Sequence, residues 1–538
     1  TDNIESVEIV RGIPSAEYGN LTSGLVNIKR TRKATPFTAR FKADEWSKLA
    51  YIGKGFLISK TDNIINLDLG YLDSKTDPRN NLENYKRLTG SLRYASDILF
   101  NQGSVRINAA ADYTGSFDNA KTDPDLSNGK IDEFKSTYRR FSLTGDAAIS
   151  FSNLNCLSDI DINGAVSYQN DILERRRQVA PSRPSAAPTT MEEGIHDGHY
   201  IIGEYIADYR SEGKPFTAFL KISMSHTLIK GITSHNFKVG VEWNLSKNFG
   251  KGQIYDLMKP LSASWTSRPR DFSKIPALNN LSFYIQDLFS VKTSSGNIDI
   301  QGGVRGASLP GLDKKYNMAG KLYLDPRVNI IWHFAPSDKI SPFIGAGYGI
   351  TTKMPTSDYL YPQAQYSDLI QLNYYDLNNP KENSRLILKT FIHDAVNYNL
   401  KPARNRKWEV RLGASLYGNR ISLTYFNEKL SSGFRYQSVY SPVLYRQYDT
   451  SGIVSSTLTS PPETDNLPYT DRTALDGNRY VTNGSRIDKE GLEFQINTIR
   501  WKPLRTSLII SGAWMRTVYT NSQMLFSPVN DVIDDQAV

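Results

Sequence analysis

The sequence is short of cysteine, of long apolar runs and of helical periodicity, and each shortage excludes something. Cys156 is the single cysteine, so no disulfide forms within the chain and no Cys-rich metal site is available. The chain can also occupy an oxidising compartment without mispairing with itself. No stretch approaches the roughly eighteen apolar residues that mark a transmembrane helix. That leaves a transmembrane β-barrel open, because barrel strands need an apolar residue only at every second position. A mean hydropathy of −0.45 is compatible with such a pattern. Charge is also unremarkable. Lys+Arg 64 against Asp+Glu 55 gives +9, spread along the chain without a basic helix. Arg175-Arg176-Arg177 is the densest cluster, and a solvated loop accounts for it without nucleic acid.

Catalytic signatures are missing too. Gly19 and Gly24 have phosphate-loop spacing, but Leu25-Val26 follow where Lys and Ser/Thr are needed. No G-x-S-x-G elbow occurs. His196 and His199 lack the glutamate and spacing of a zinc protease. Asp123 to Gly129 resembles a calcium loop, but its glycine falls one place late and the bidentate glutamate is absent, so a hairpin turn is expected. Nothing here argues for an enzyme or a cofactor.

What is present is period-2 alternation. Phe237, Val239, Val241, Trp243 and Leu245 alternate with Lys238, Gly240, Glu242 and Asn244. Trp408, Val410, Leu412, Ala414 and Leu416 alternate with Glu409, Arg411, Gly413 and Ser415, and Leu492, Phe494 and Ile496 with Glu493, Gln495 and Asn497. Such segments recur from Phe37 to Trp514 and predict long strands wet on one face only. Tight turns such as Asn101-Gln102-Gly103 and Gly418-Asn419-Arg420 alternate with long polar connections at about 171–197, 249–279, 351–405 and 436–486. Two architectures satisfy this: one large barrel with an apolar exterior and a polar lumen, or a stack of soluble sheets.

The opening stretch differs from the rest. Ile4 to Val10 alternates as a strand does, Arg11-Gly12-Ile13-Pro14-Ser15-Ala16-Glu17-Tyr18-Gly19 follows, and Gly24 leads into a second strand, Leu25 to Lys29. This run resembles the end of the plug domain of TonB-dependent outer-membrane receptors, in their Bacteroidetes branch. Its motif residues are Gly12, Pro14, Tyr18, Gly19 and Gly24. Later segments resemble the same family in the same order: Phe283-Tyr284-Ile285-Gln286-Asp287, Gly303-Val304-Arg305, Asp325-Pro326-Arg327, Gly347-Tyr348-Gly349 to Pro355, Leu400-Lys401-Pro402 before Trp408-Glu409, and Gly491-Leu492-Glu493. Ala403 stands where the family has Glu, and no role is carried onto it.

The resemblance implies an all-β fold, a large antiparallel transmembrane β-barrel, with residues 1–33 the C-terminal part of a plug and 34–538 the barrel. It implies active import of a nutrient (iron chelate, haem, cobalamin, glycan or peptide) across the bacterial outer membrane. The implied partners are the TonB–ExbB–ExbD complex, outer-membrane lipid and a surface lipoprotein. The alternatives are a non-transporting signalling receptor or adhesin of the same architecture and, on the stacked-sheet reading, a soluble multi-sheet carbohydrate-binding protein. Plug arginines meet barrel glutamates in this family, so Arg11 is expected within a Debye length, roughly 8 Å, of Glu409 or Glu493. Tyr359, Tyr361, Tyr374 and Tyr375 are the expected ligand-stacking residues of the outer loops. The chain opens at Thr1, which implies a removed signal or a piece of a longer protein. About eighteen strands are expected, against the roughly 22 of plugged outer-membrane transporters.

Overall fold

Alternation over ten or more residues leaves each segment one apolar and one polar face, and only pairing in register buries its backbone groups. The computed structural model describes the chain except residues 1–3, 11, 22–23, 59–62, 153–156, 264, 266, 335, 338, 528–531, 534–535 and 538. Two short strands open it, β1 (Ile4–Val10) and β2 (Leu25–Arg30). They pair antiparallel, Val7 opposite Ile28 and Ile9 opposite Val26, as a sheet of their own.

The wall begins with β3 (Thr38–Ala43), β4 (Ser47–Ile58), β5 (Asn63–Ser74), β6 (Glu83–Phe100), β7 (Gly103–Ala120), β8 (Asp132–Phe151) and β9 (Asp159–Val179). A connection carrying β10 (Ser185–Ala187), β11 (Gly194–Asp197) and β12 (His199–Ile201) follows. The wall resumes with β13 (Tyr205–Gly213), β14 (Pro215–Lys230), β15 (Thr233–Asn248), β16 (Gly252–Tyr255), β17 (Leu278–Thr293), β18 (Gly296–Ser308), β19 (Tyr323–Phe334) and β20 (Ile340–Lys353). The next connection holds α1 (Ser357–Leu360), β21 (Gln365–Tyr374), α2 (Pro380–Asn383) and β22 (Arg385–His393). The last wall strands are β23 (Ala403–Leu416), β24 (Asn419–Tyr448), β25 (Tyr469–Asn497) and β26 (Ile509–Asn521). β13 and β14 are two lengths of one stave, since β9 pairs with β14 along Asp159–Tyr168 and with β13 along Asp171–Val179.

The strand order is that of a closed barrel, and antiparallel registers join the staves in succession from β3 to β26. Among the described residues no register pairs β26 with β3, and both strands are exposed on nearly every residue. The stack of soluble sheets is therefore excluded: the wall is one sheet. Its burial is also inverted relative to a soluble protein. Val241 and Ile285 are 50% and 57% exposed on the outside, while Arg305 and Arg327 are 1% and 4% exposed within. An apolar band outside and a polar lumen is how a barrel sits in lipid.

Short turns gather at one end. The β23–β24 turn places Tyr417 at φ 51° and Gly418 at φ 83°, the two left-handed residues of a type I′ turn, whose twist matches that of the strands it joins. Long connections gather at the other end, and they are more ordered than their composition suggests. The expected loop at 436–486 is mostly strand, because β24 and β25 continue as a ribbon to the pair Tyr448–Tyr469. The 171–197 segment begins as strand, so Arg175, Arg176 and Arg177 lie in β9 rather than in a loop. Arg175 and Arg177 meet Asp132, and Arg176 meets Asp208. The 351–405 segment folds back as β21 and β22, to which β11 of the earlier connection adds a third strand in the order β11–β22–β21, and 249–279 contains β16 and the start of β17.

Candidate functional site

The segment from Gly12 to Asn20 is a turn, and a turn leaves several backbone carbonyls without partners of its own. Gly12 sits at φ 89° and Asn20 at φ 58°, and one bond closes the middle, Tyr18 N–H to Ser15 O at 3.1 Å. The wall supplies the remaining donors. Arg327 Nη1 donates to Pro14 O at 3.4 Å, Ser15 O at 2.8 Å and Tyr18 O at 2.6 Å. Arg305 Nη1 donates to Glu17 O at 3.0 Å, and Asn329 Nδ2 to Ile13 O at 3.1 Å. Gln286 Oε1 accepts the Glu17 N–H at 3.3 Å, and Asn20 Oδ1 accepts the Met354 N–H at 3.0 Å. A guanidinium presents five donors in a fixed fork, which suits it to gathering several carbonyls at once. Together these groups from β17, β18, β19 and the segment after β20 form a socket.

Glu17 carries the charge of this contact. Its carboxylate meets Lys221 Nζ at 2.6 Å and Lys238 Nζ at 2.9 Å, from β14 and β15. Lys238 also reaches Asp161 at 3.6 Å, and Arg305 pairs with Glu242 at 3.0 Å. The Lys221 ammonium lies 5.0 Å from the centroid of the Tyr18 ring, within reach of a cation–π attraction. Burial pushes the Glu17 carboxyl up, but the two ammonium groups outweigh it and hold the carboxyl below the usual carboxylate range.

The turn approaches the wall closely. Ile13, Pro14 and Ala16 are buried. A side chain at Gly349 would place its Cβ 2.7 Å from Ile13 Cγ2, and one at Gly303 would place it 2.9 Å from Ala16 Cβ. Of the motif residues, Gly19 lies against the Arg305 guanidinium and Gly24 against the carbonyl of Val10.

Arg11 lies outside the described residues. Its neighbour Gly12 abuts the Glu409 carboxylate and Arg411, so the turn does reach that glutamate. Glu409 is buried between Arg411 and Lys407 of its own strand, the latter at 3.6 Å. Glu493 lies on β25, half-buried, and forms no ion pair among the described residues. Sequence reading missed Lys221 and Asn329. It quoted Glu17, Lys238, Gln286, Arg305, Arg327, Gly303 and Gly349 without a role, yet Glu17 belongs to the turn and the other six meet it.

A second fixture holds the chain after β2. Arg30 pairs with Asp112 of β7 at 3.2 Å. Arg32 donates to Asn108 Oδ1 at 2.6 Å, Asp97 Oδ1 at 2.8 Å and Ser96 O at 3.2 Å, on β6 and β7. Thr35 N–H donates to Asn66 Oδ1 of β5 at 2.8 Å. The hairpin of β1 and β2 thus runs inside the barrel between two separate anchor points.

The four tyrosines lie among the outer connections, half-buried. Tyr359 packs on Phe434 and Tyr436 at 5.0 and 6.3 Å between centroids, Tyr361 on Tyr316 at 6.1 Å, and Tyr375 on Tyr200 at 5.3 Å. Tyr374 pairs with Arg385 across β21 and β22. Arg385 itself joins Asp197 at 3.2 Å and Glu463 at 2.9 Å, which ties three outer connections together.

A family model described as "TonB dependent receptor-like, beta-barrel" matches residues 50–532. No curated protein matches this sequence. Among solved structures, the chain is similar to the RagAB peptide transporter, with TM-score 0.52 and 12% identity over 90% of this chain and 52% of that one. It is similar to the siderophore receptor PirA from Pseudomonas aeruginosa, with TM-score 0.52 and 12% identity over 96% of this chain and 73% of that one. The outer membrane transporter YddB from Escherichia coli gives TM-score 0.52 and 11% identity over 96% and 64%. At these identities the likeness shows the fold alone. The chain spans about half the length of the RagAB chain and 64–73% of the other two.

Proposed function

The chain belongs to the TonB-dependent receptor-like β-barrel family of the bacterial outer membrane, and on that premise we propose that it imports a nutrient through a gated lumen. Residues 1–33 act as the end of the gate and 34–538 as the wall. Tension from an inner-membrane complex of the TonB–ExbB–ExbD type displaces the gate, and a surface lipoprotein assists capture of the solute. Tyr359, Tyr361, Tyr374 and Tyr375 contribute to its outer recognition surface.

The observation that supports this most is the socket. The turn is held by hydrogen bonds and ion pairs rather than by a continuous apolar core. Water substitutes for polar contacts at modest cost, roughly 0–2 kcal/mol for each ordered water. Such an interface stays shut unloaded and yields when pulled.

A reversible lock tests the reading. Ala16→Cys with Gly303→Cys, in a Cys156→Ser background, places the two sulfur-bearing carbons within about 1 Å of disulfide spacing. Cells carrying this variant are given a panel of labelled iron chelates, cobalamin, oligopeptides and oligosaccharides. Protonophore-sensitive uptake of one member, lost on oxidation and regained with reductant, is expected. Uptake that ignores the oxidation state would overturn the gate.

A further inference from the structure

Between the socketed turn and the long connections, the lumen holds a cavity of ≈ 740 Å³. Asn20 of the turn, the inner faces of β7, β8, β14 and β15, and the segment 353–357 line it. Its size suits one small ligand, since such sites run from roughly 300 to 1,000 Å³. Eleven of its lining residues are serine, threonine or asparagine, nine are apolar and four are charged.

The charges of this cavity do not balance. Arg30, Arg140 and Lys353 line it, against a single carboxylate, Asp112. Asp112 is already committed, to Arg30 at 3.2 Å and to the Ser91 hydroxyl at 2.7 Å. Arg140 donates its Nε–H to Ser167 Oγ at 2.9 Å. Among the described residues neither Arg140 nor Lys353 forms an ion pair. One acceptor is also unmet: Asn280 lines the cavity, is 9% exposed, and its Oδ1 has no donor among the described residues. A polar lumen with low-dielectric walls focuses the field of unpaired cations and concentrates anions. A neutral solute would leave both cations uncompensated.

We propose that this cavity seats a solute bearing carboxylate groups together with N–H or O–H donors. This rests on the import reading above and names the substrate class for it. The carboxylate lies toward Arg140 and Lys353, and a donor meets Asn280 Oδ1. Acidic peptides and acidic sugars share that chemistry.

Binding to the purified full chain in detergent tests it, measured by titration calorimetry. The probes are tetraglutamate with tetraglutamine as its uncharged counterpart, and trigalacturonate with maltotriose as its counterpart. At least one acidic probe is expected to bind about tenfold or more tighter than its counterpart, with an affinity that falls as salt rises. Which acidic probe binds distinguishes peptide from sugar. Arg140→Ala with Lys353→Ala should abolish the preference, Arg140→Lys should keep it, and Lys130→Ala, an exposed loop charge, should leave it unchanged. Thermal melting of each variant separates lost binding from lost fold. Equal binding of charged and uncharged probes, or a preference that survives the double variant, overturns the proposal. The assay needs no energy source. Energised uptake without acid selectivity sinks the substrate class alone, and acid selectivity without energised uptake sinks the import reading alone.

Discussion

Glu17 is the residue on which docking of the turn depends, because two buried ammonium groups face it. Glu17→Gln leaves Lys221 and Lys238 without that counter-charge. Removing one member of a buried pair costs roughly 3–5 kcal/mol, and the 18% side-chain exposure of Glu17 points to the lower end. Amides from Gly12 to Asn20 should then exchange with solvent about a hundredfold faster, read by hydrogen-exchange mass spectrometry; unchanged protection would contradict this role. The pH dependence has a definite sign. The carboxyl titrates lower when docked than when free, so its contribution is complete above the free value. It is lost as pH falls through the docked one. The turn should therefore remain protected through the usual carboxylate range and release only as pH falls below it. None of this was legible from sequence. The motif containing Glu17 stood out, but its lysines lie 204 and 221 residues away, and alternation tells which face a residue takes, not which stave it meets.

At the scale of elements, strands were the legible part. Period 2 located the membrane-crossing segments because lipid demands an apolar residue at every second position. The outer ribbon of β24 and β25 was read as loop because beyond the membrane that demand lapses: Pro442 and Gly477 break the sequence alternation, although both stay paired in the ribbon, and both faces carry polar residues. The socket strands were recognisable, but their purpose became visible only once β17 to β20 were adjacent. Gly349 illustrates the point. Gly349→Ala should push Ile13 out of its seat at a cost of about 1–3 kcal/mol, as overpacking generally does. Pairing it with Ile13→Ala should recover most of that loss, so a double-mutant cycle on turn protection should be strongly non-additive. Additivity would mean that the two residues do not share the space.

For the whole molecule, the inverted burial is the governing fact. Val239 is 43% exposed on the outside of β15, while Lys238, its neighbour in sequence, is mostly buried in the lumen. Val239→Arg should destabilise the barrel by roughly 2–4 kcal/mol if it lies near the bilayer midplane, measured by denaturant titration in lipid vesicles. A cost near zero would put that position outside the hydrocarbon.

The two anchor points of the inner hairpin set a load path. Tension on the chain ahead of Ile4 opens the Ile4–Arg30 rung first and then peels β1 from β2 one rung at a time up to Val10–Leu25. Peeling loads one hydrogen bond after another. The socket then takes the strain on many bonds in parallel, while Arg32 holds the downstream end to β6 and β7. In single-molecule pulling the hairpin should part at low force with a gradual extension, followed by one abrupt rupture at higher force. Glu17→Gln should lower that second event and leave the first untouched. The hairpin is slack to be taken up, and the turn is the catch.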